Sequence, residues 1–230
     1  MRAVSVGNSQ PICRGCLASD IREAHARHRQ RALIDACGVD PLFMRFNRWE
    51  MLRGCEEYLL AAEAVRTCAE GDSLAMLTGK VGRGKSQSMA TAVLQSCYDG
   101  RQARLVPANS LVDELKARYK DKHGDSAHDW LQKWLRPHLL AIDDVHRLKH
   151  EKPNTMMRFE WLLDRRCTSY RPTILAGNLA SDEISRVLGA PIADRINGGG
   201  GEIEFLDWPS FRGRDQDDDL EWGLSESGVS

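Results

Sequence analysis

The stretch that decides the fold runs from Ser73 to Tyr98: SLAMLT (73–78), then Gly79-Lys80-Val81-Gly82-Arg83-Gly84-Lys85-Ser86, then a helical run beginning at Lys85 and ended by Asp99-Gly100. A short apolar strand feeds a glycine-rich loop, and the loop feeds a helix. The loop fills every fixed position of GxxxxGK[ST] and has the right flank on each side. Glycines allow backbone N–H groups to curl around phosphate oxygens where a side chain would block the approach. The helix that starts near Lys85 points its positive end at the same anion. Lys85 is expected to reach the β- and γ-phosphates and the Ser86 hydroxyl to ligate Mg²⁺. Gly79, Gly82, Arg83, Gly84 and Gln87 complete the expected nucleotide-binding set, with ATP and Mg²⁺ as ligands.

Outward from this loop, strand and helix patterns alternate. Cys55–Glu70 reads as a helix with apolar positions at Leu59, Ala62 and Val65. Ala103–Pro107 reads as a strand, and Ser110 with Asp113 as a capping pair opening a helix through Tyr119. Leu139–Asp143 (LLAID) is a buried strand, Thr155–Tyr170 a helix and Thr173–Ala176 a strand. A helix from Asp182 to Leu188 and a strand at Glu202–Leu206 complete the series. Such alternation implies parallel βαβ units with helices on both faces of a sheet, an α/β architecture whose chemistry sits at the strand ends.

Three candidate groups lie at those ends. Asp143 and Asp144 close LLAID, where a phosphate-loop fold places its second Mg²⁺ group. Asp143 is expected to hold the metal through water and Asp144 to position the attacking water. Asn178 follows the strand TILA, where its amide can bond both a γ-phosphate and that water without titrating; an Asn favoured by turn geometry is the plainer alternative. Arg195, ahead of Gly198–Gly201, can act only on the nucleotide of a neighbouring subunit, and is otherwise a surface Arg paired with Asp194.

Composition bounds the rest. The 230 residues hold 42% hydrophobic and 28% charged side chains, ordinary globular usage, so a packed core is expected. A net charge of −1 gives no general pull toward nucleic acid, and any such site must be a local patch. No apolar run approaches the length of a membrane helix, and the start MRAVSVGNSQ lacks the apolar block of a signal peptide. Seven cysteines, an odd number without small-scaffold rhythm, fit reduced thiols in a cytoplasm. Three regions follow: 1–45, a small Arg-rich region expected to bind a partner; 46–214, the α/β domain; and 215–230, an acidic tail without Lys or Arg that reads as solvated and disordered.

Read in order, these pieces resemble AAA+ ATPases. LLAIDDVH, FEWLLDRRCTSYRPTILAGNL and LGAPIADRINGGGGEIEFLDWPSFR resemble DnaC-type replicative helicase loaders, and CGVDPLFMRFNRW is similar to the short segment before that family's core. The related IstB-type transposition ATPases share nearly all of it. The resemblance spans about residues 37 to 214. It implies a five-stranded parallel sheet, ATP-dependent self-association and a composite site between subunits. Lys85 and Ser86 would be the phosphate-loop pair, Asp143 and Asp144 the acidic pair, Asn178 the first sensor and Arg195 the trans-acting finger. One departure is that about 24 residues follow the last expected strand, so no full helical lid is expected, with Arg212 or Arg214 the nearest second-sensor candidates.

The function expected is an ATP-dependent loader that binds a replicative helicase hexamer and single-stranded DNA. The alternatives are an IstB-like factor that binds double-stranded DNA and stimulates a transposase, and a low-turnover ATP-sensing adaptor. Weaker signals are of two kinds. Cys13 and Cys16 form half of a zinc site that His25, His28 and Cys37 could complete. Lys116, Arg118 and Lys120 (with Lys122) surround Tyr119 at a helix end, where resembling loaders touch single-stranded DNA; the helix dipole alone also accounts for such charges. Trp130, Trp134 and Trp161 read as core.

Overall fold

The structure is a computed structural model that describes residues 14–44, 56–71, 74–120, 127–199 and 201–204, the side chains of 14–21, 56–58, 118–120 and 127–129 excepted. Helices α1 (Arg14–Ala36), α2 (Pro41–Met44) and α3 (Glu56–Glu70) precede strand β1 (Leu74–Thr78). Then come α4 (Lys85–Tyr98), β2 (Ala103–Pro107), α5 (Ala108–Lys120), α6 (Ala127–Leu135) and β3 (Leu139–Asp143). A 3₁₀ helix (Val145–His150), α7 (Pro153–Thr168), β4 (Thr173–Ala176), α8 (Ser181–Leu188), α9 (Ala190–Gly198) and β5 (Gly201–Glu204) follow.

The five strands form one parallel sheet in the order β2-β3-β4-β1-β5. Because the side-chain period of a strand is two, each strand feeds both faces. Ala75, Leu77, Leu139, Ala141, Ile174 and Ala176 pack with α3 and α4, whereas Leu74, Met76, Leu140, Ile142 and Leu175 pack with α5 to α9. Covering on both faces explains why these strands are continuous apolar runs. The register levels Ile142 with Leu175, and Ala176 with Leu77. The exits of β1, β3 and β4 therefore meet at one edge of the sheet.

The outer edge of β2 is closed by the segment after α1. The Leu105 N–H donates to the Cys37 carbonyl at 2.8 Å, and a Cβ on Gly38, whose φ is +77°, would lie 2.4 Å from the Leu105 carbonyl oxygen. A further staple is Arg166, fully buried on α7. Its guanidinium donates to the carbonyls of Trp134, Pro137, His138 and Pro172 and to the Thr173 hydroxyl, at 2.8–3.1 Å. Burial lowers its pKa to about 9, which leaves it charged at neutral pH.

Several sequence readings change. The helix after β2 begins at Ala108, directly behind Pro107, so Ser110 lies inside its first turn rather than capping it. The helix before β4 runs Pro153–Thr168, with Pro153 at the first position, where its missing N–H costs nothing. The last strand is Gly201–Glu204; residues 205–206 lie outside the described ones, as does the acidic tail. Trp130 and Trp134 are core, but Trp161 is 43% exposed, because Phe159, Leu162, Leu163 and Arg166 supply the buried side of α7. Helices α6 and α9 were not expected.

Candidate functional site

The glycine loop between β1 and α4 has Gly79, Gly82 and Gly84 at φ of 112°, 81° and 89°, a curl that L side chains resist. Lys85 opens α4, and its ammonium donates to the carbonyls of Gly79 and Lys80, each at 2.7 Å. It is buried, held across the loop mouth by the carbonyls of the loop itself. The Ser86 hydroxyl donates to Asp143 Oδ2 at 2.6 Å, and the Asp144 N–H donates to Asp143 Oδ1 at 2.8 Å. Burial pushes the Asp143 carboxyl above the usual carboxylate range, with these two hydrogen bonds opposing it. A hydroxyl touching a desolvated carboxylate is a donor set suited to a hard divalent cation, so Ser86 and Asp143 fit Mg²⁺.

Asp144 follows in the left-handed region, φ 58°, and its carboxylate takes Arg147 Nε at 3.0 Å. Asn178 leaves β4 with its side chain exposed, and its backbone N–H donates to His146 Nδ1 at 3.3 Å. Below it the Gly177 N–H donates to the Leu77 carbonyl, which ties the β4 exit to the β1 exit. Gln87, one residue beyond Ser86, donates to the Phe43 carbonyl of α2 at 3.3 Å. Arg83 is half-buried within the loop.

Arg195 stands apart. Gly199, just after α9, abuts the backbone of Leu74 at the start of β1, so α9 descends to the sheet edge opposite the phosphate loop. Arg195 pairs with Asp164 of α7, not with Asp194. Both line a cleft of about 510 Å³ with Trp130, Leu131, Met157 and Trp161, and no residue of the phosphate loop lines it.

Nucleotide-loop residues, the acidic pair and Asn178 thus converge at one edge, and Arg195 does not join them. Taken with this geometry, the match to known proteins is specific: residues 52–196 fit the family described as IstB-like ATP binding protein. The chain belongs to that IstB-like ATP-binding family. Its similarity extends to the uncharacterized protein YdaV and to the replicative helicase loader DnaC, both of Escherichia coli K12. Each is 24% identical over 197 residues, 84% of this chain and 78% or 79% of the relative. AMPPCP-bound DnaA from Aquifex aeolicus superposes with a TM-score of 0.59 at 22% identity over 66% of this chain. This chain spans about half of that one, 48%. The likeness shows the AAA+ P-loop fold. Among the described residues, no helix is long and apolar enough to cross a membrane.

Two residues at this edge escape sequence reasoning. Glu202 Oε1 accepts hydrogen bonds from both Thr78 (2.6 Å) and Ser181 (2.8 Å), joining β5, β1 and α8. His146, in the turn after the acidic pair, is the other. Its signal was its place in LLAIDDVH, beside a pair already marked. Of the basic candidates, Lys116 is engaged by Glu151 at 2.6 Å and Asp113 at 3.4 Å, and the Glu151 hydrogen bond raises its pKa. The side chains of Arg118 and Lys120 lie outside the described residues, as do those of Cys13 and Cys16. Cys37 is buried beside Cys97, whereas His25 and His28 are exposed, so Cys37 does not join them.

Proposed function

We propose that this chain is an ATP-hydrolysing loading factor whose active site is completed by a second copy, and that it acts on a hexameric replicative helicase and single-stranded DNA. The observation that carries this reading is that Arg195 pairs with Asp164 in a cleft that no residue of its own phosphate loop lines. An arginine so placed serves nucleotide chemistry only across an interface.

The chain's own groups divide the work. The loop amides and Lys85 bind the phosphates, and the exchange of the Gly79 and Lys80 carbonyls for phosphate oxygens satisfies a buried ammonium better. Mg²⁺, held by Ser86 and Asp143, would neutralise phosphate charge. Asn178 and Asp144 orient water in line with the γ-phosphate, Asp144 turning from Arg147 to do so. Arg195 of the adjacent copy offsets charge on the transferring phosphoryl group, a contribution of about 10³–10⁵ in rate. Separation of the copies after hydrolysis would release the partner.

The loader reading is supported by the similarity to DnaC across most of both chains. The IstB-like family match favours a second reading, a transposition factor on duplex DNA. The native mass of the chain mixed with the source cell's replicative helicase, with and without ATP, separates them. A nucleotide-dependent complex that Lys85→Ala abolishes supports the loader. No complex under conditions where the chain binds ATP, together with ATP-dependent assembly on duplex DNA, supports the transposition factor.

A further inference from the structure

The turn that leaves β3 and the turn that leaves β4 are joined by one side chain. His146 Nδ1 accepts the backbone N–H of Asn178 at 3.3 Å. A backbone N–H can only donate, so the ring proton sits on Nε2 and Nδ1 presents its lone pair. Asp144 Oδ1 lies 3.9 Å from the same nitrogen, beyond hydrogen-bond reach, and its Oδ2 is taken by Arg147 at 3.0 Å. His146 therefore stands between Asp144 and Asn178 while bonded to the second.

The surroundings leave that bond a defined task. At Gly177 a Cβ would come within 3.1 Å of Val145 Cγ2 and 3.3 Å of the His146 nitrogen, so the two turns already touch there. The next peptide, Gly177–Asn178, ends in an exposed side chain, and of the hydrogen bonds found there its N–H makes the one to His146. Rotation of that peptide would swing the Asn178 amide away from the edge where Ser86, Asp143 and Asp144 converge.

We propose that His146 is a positioning residue for ATP hydrolysis: through Nδ1 it fixes the Asn178 peptide so that the Asn178 amide and the Asp144 carboxylate address one water. This rests on the hydrolytic reading above. Asparagine at position 146 carries an amide oxygen that can accept the same N–H, whereas alanine cannot.

The test compares ATP turnover at saturation, ATP affinity and exchange of the Asn178 amide with solvent in the whole chain, His146→Ala and His146→Asn. His146→Ala should lower kcat by about 3- to 10-fold, the worth of one hydrogen bond, with ATP affinity held within about twofold. The Asn178 amide should exchange faster in it. His146→Asn should restore both the rate and the protection. Turnover in His146→Ala equal to the parent overturns the proposal, as does His146→Asn being as slow as alanine, or affinity falling in step with kcat. A parent chain that binds ATP without hydrolysing it overturns the hydrolytic reading and this role together, so the two failures are distinct.

Discussion

Asp143→Asn should stabilise the nucleotide-free protein while removing its response to Mg²⁺. In the ligand-free site Asp143 is a largely buried carboxylate whose pKa burial has raised, so its charge opposes folding at neutral pH. Asparagine has the same shape. Its Oδ1 can keep the Asp144 N–H now at 2.8 Å, and its amide can donate to the Ser86 oxygen now at 2.6 Å. No cavity opens, and only the half-buried Ser86 hydroxyl proton must turn to another acceptor, so what chiefly changes is the charge. We expect a gain of about 1 kcal/mol, which for a chain of this size is about 2–4 °C in Tm. Saturating MgATP at about 100 times Kd should add about 2.7 kcal/mol to the parent, and the Mg²⁺-dependent part of that gain should vanish in the variant. Thermal melts followed by circular dichroism, with ATP in EDTA or in Mg²⁺, measure both. The pH dependence supplies a sign check. A carboxyl with a raised folded pKa contributes stability that is present below its unfolded pKa of 3.8 and lost as pH rises through the folded value. The parent should therefore approach the variant on acidification. A variant that melts lower than the parent at pH 7, or a gap that widens toward acid, would refute this account of Asp143.

Other consequences follow from single contacts. Arg166→Met removes a fully buried guanidinium and strands the carbonyls of Trp134, Pro137, His138 and Pro172; chemical denaturation should show a loss of about 3–5 kcal/mol. Gly38→Ala forces a Cβ to 2.4 Å from the Leu105 carbonyl and should cost about 1–3 kcal/mol by the same assay, with ATP affinity little changed. Arg195→Ala and Lys85→Ala should each lose turnover alone. Mixed in equal amounts they should regain about one quarter of the parent rate, as random neighbours in a closed ring dictate. No recovery on mixing, in samples that assemble, would argue against a composite site.

What could be seen in the sequence was set by local signals. Residues 74–98 carry strand, loop and helix in contact, each with its own punctuation, and the structure reproduces them almost to the residue. The shared placement of Asp143, Asp144 and Asn178 was legible because parallel strands must end at one edge. The positions that were not legible depend on distant partners. Arg166 carries no local signal, because its role exists only once the carbonyls of Trp134, Pro137, His138 and Pro172 arrive around it. Trp161 reads as core because its neighbours are apolar, yet the 3.6-residue period had already assigned the inner side of α7 to Phe159, Leu162 and Leu163. Short helices such as α9, crowded by Pro191 and a run of glycines, carry too few turns for a periodicity to register. His146 could be placed in the right turn but not given a partner, since Asn178 reaches it only when β3 and β4 pair.

The attachment of α1 has a mechanical side. Its residues Arg22–Arg29 are exposed, and near its C-terminus it meets the body through Gln30 to the Tyr98 carbonyl and through Leu33 and Ile34. A 23-residue helix is about 34 Å long. Gln87 ties the helix behind the phosphate loop to α2, immediately after the segment clamped on β2. A tilt of about 5° at that fulcrum would carry the far end of the helix through about 3 Å, given the helix rise. A small displacement beside the nucleotide would thus be magnified at the far end of the helix, with Gln30, Leu33 and Ile34 as its mount.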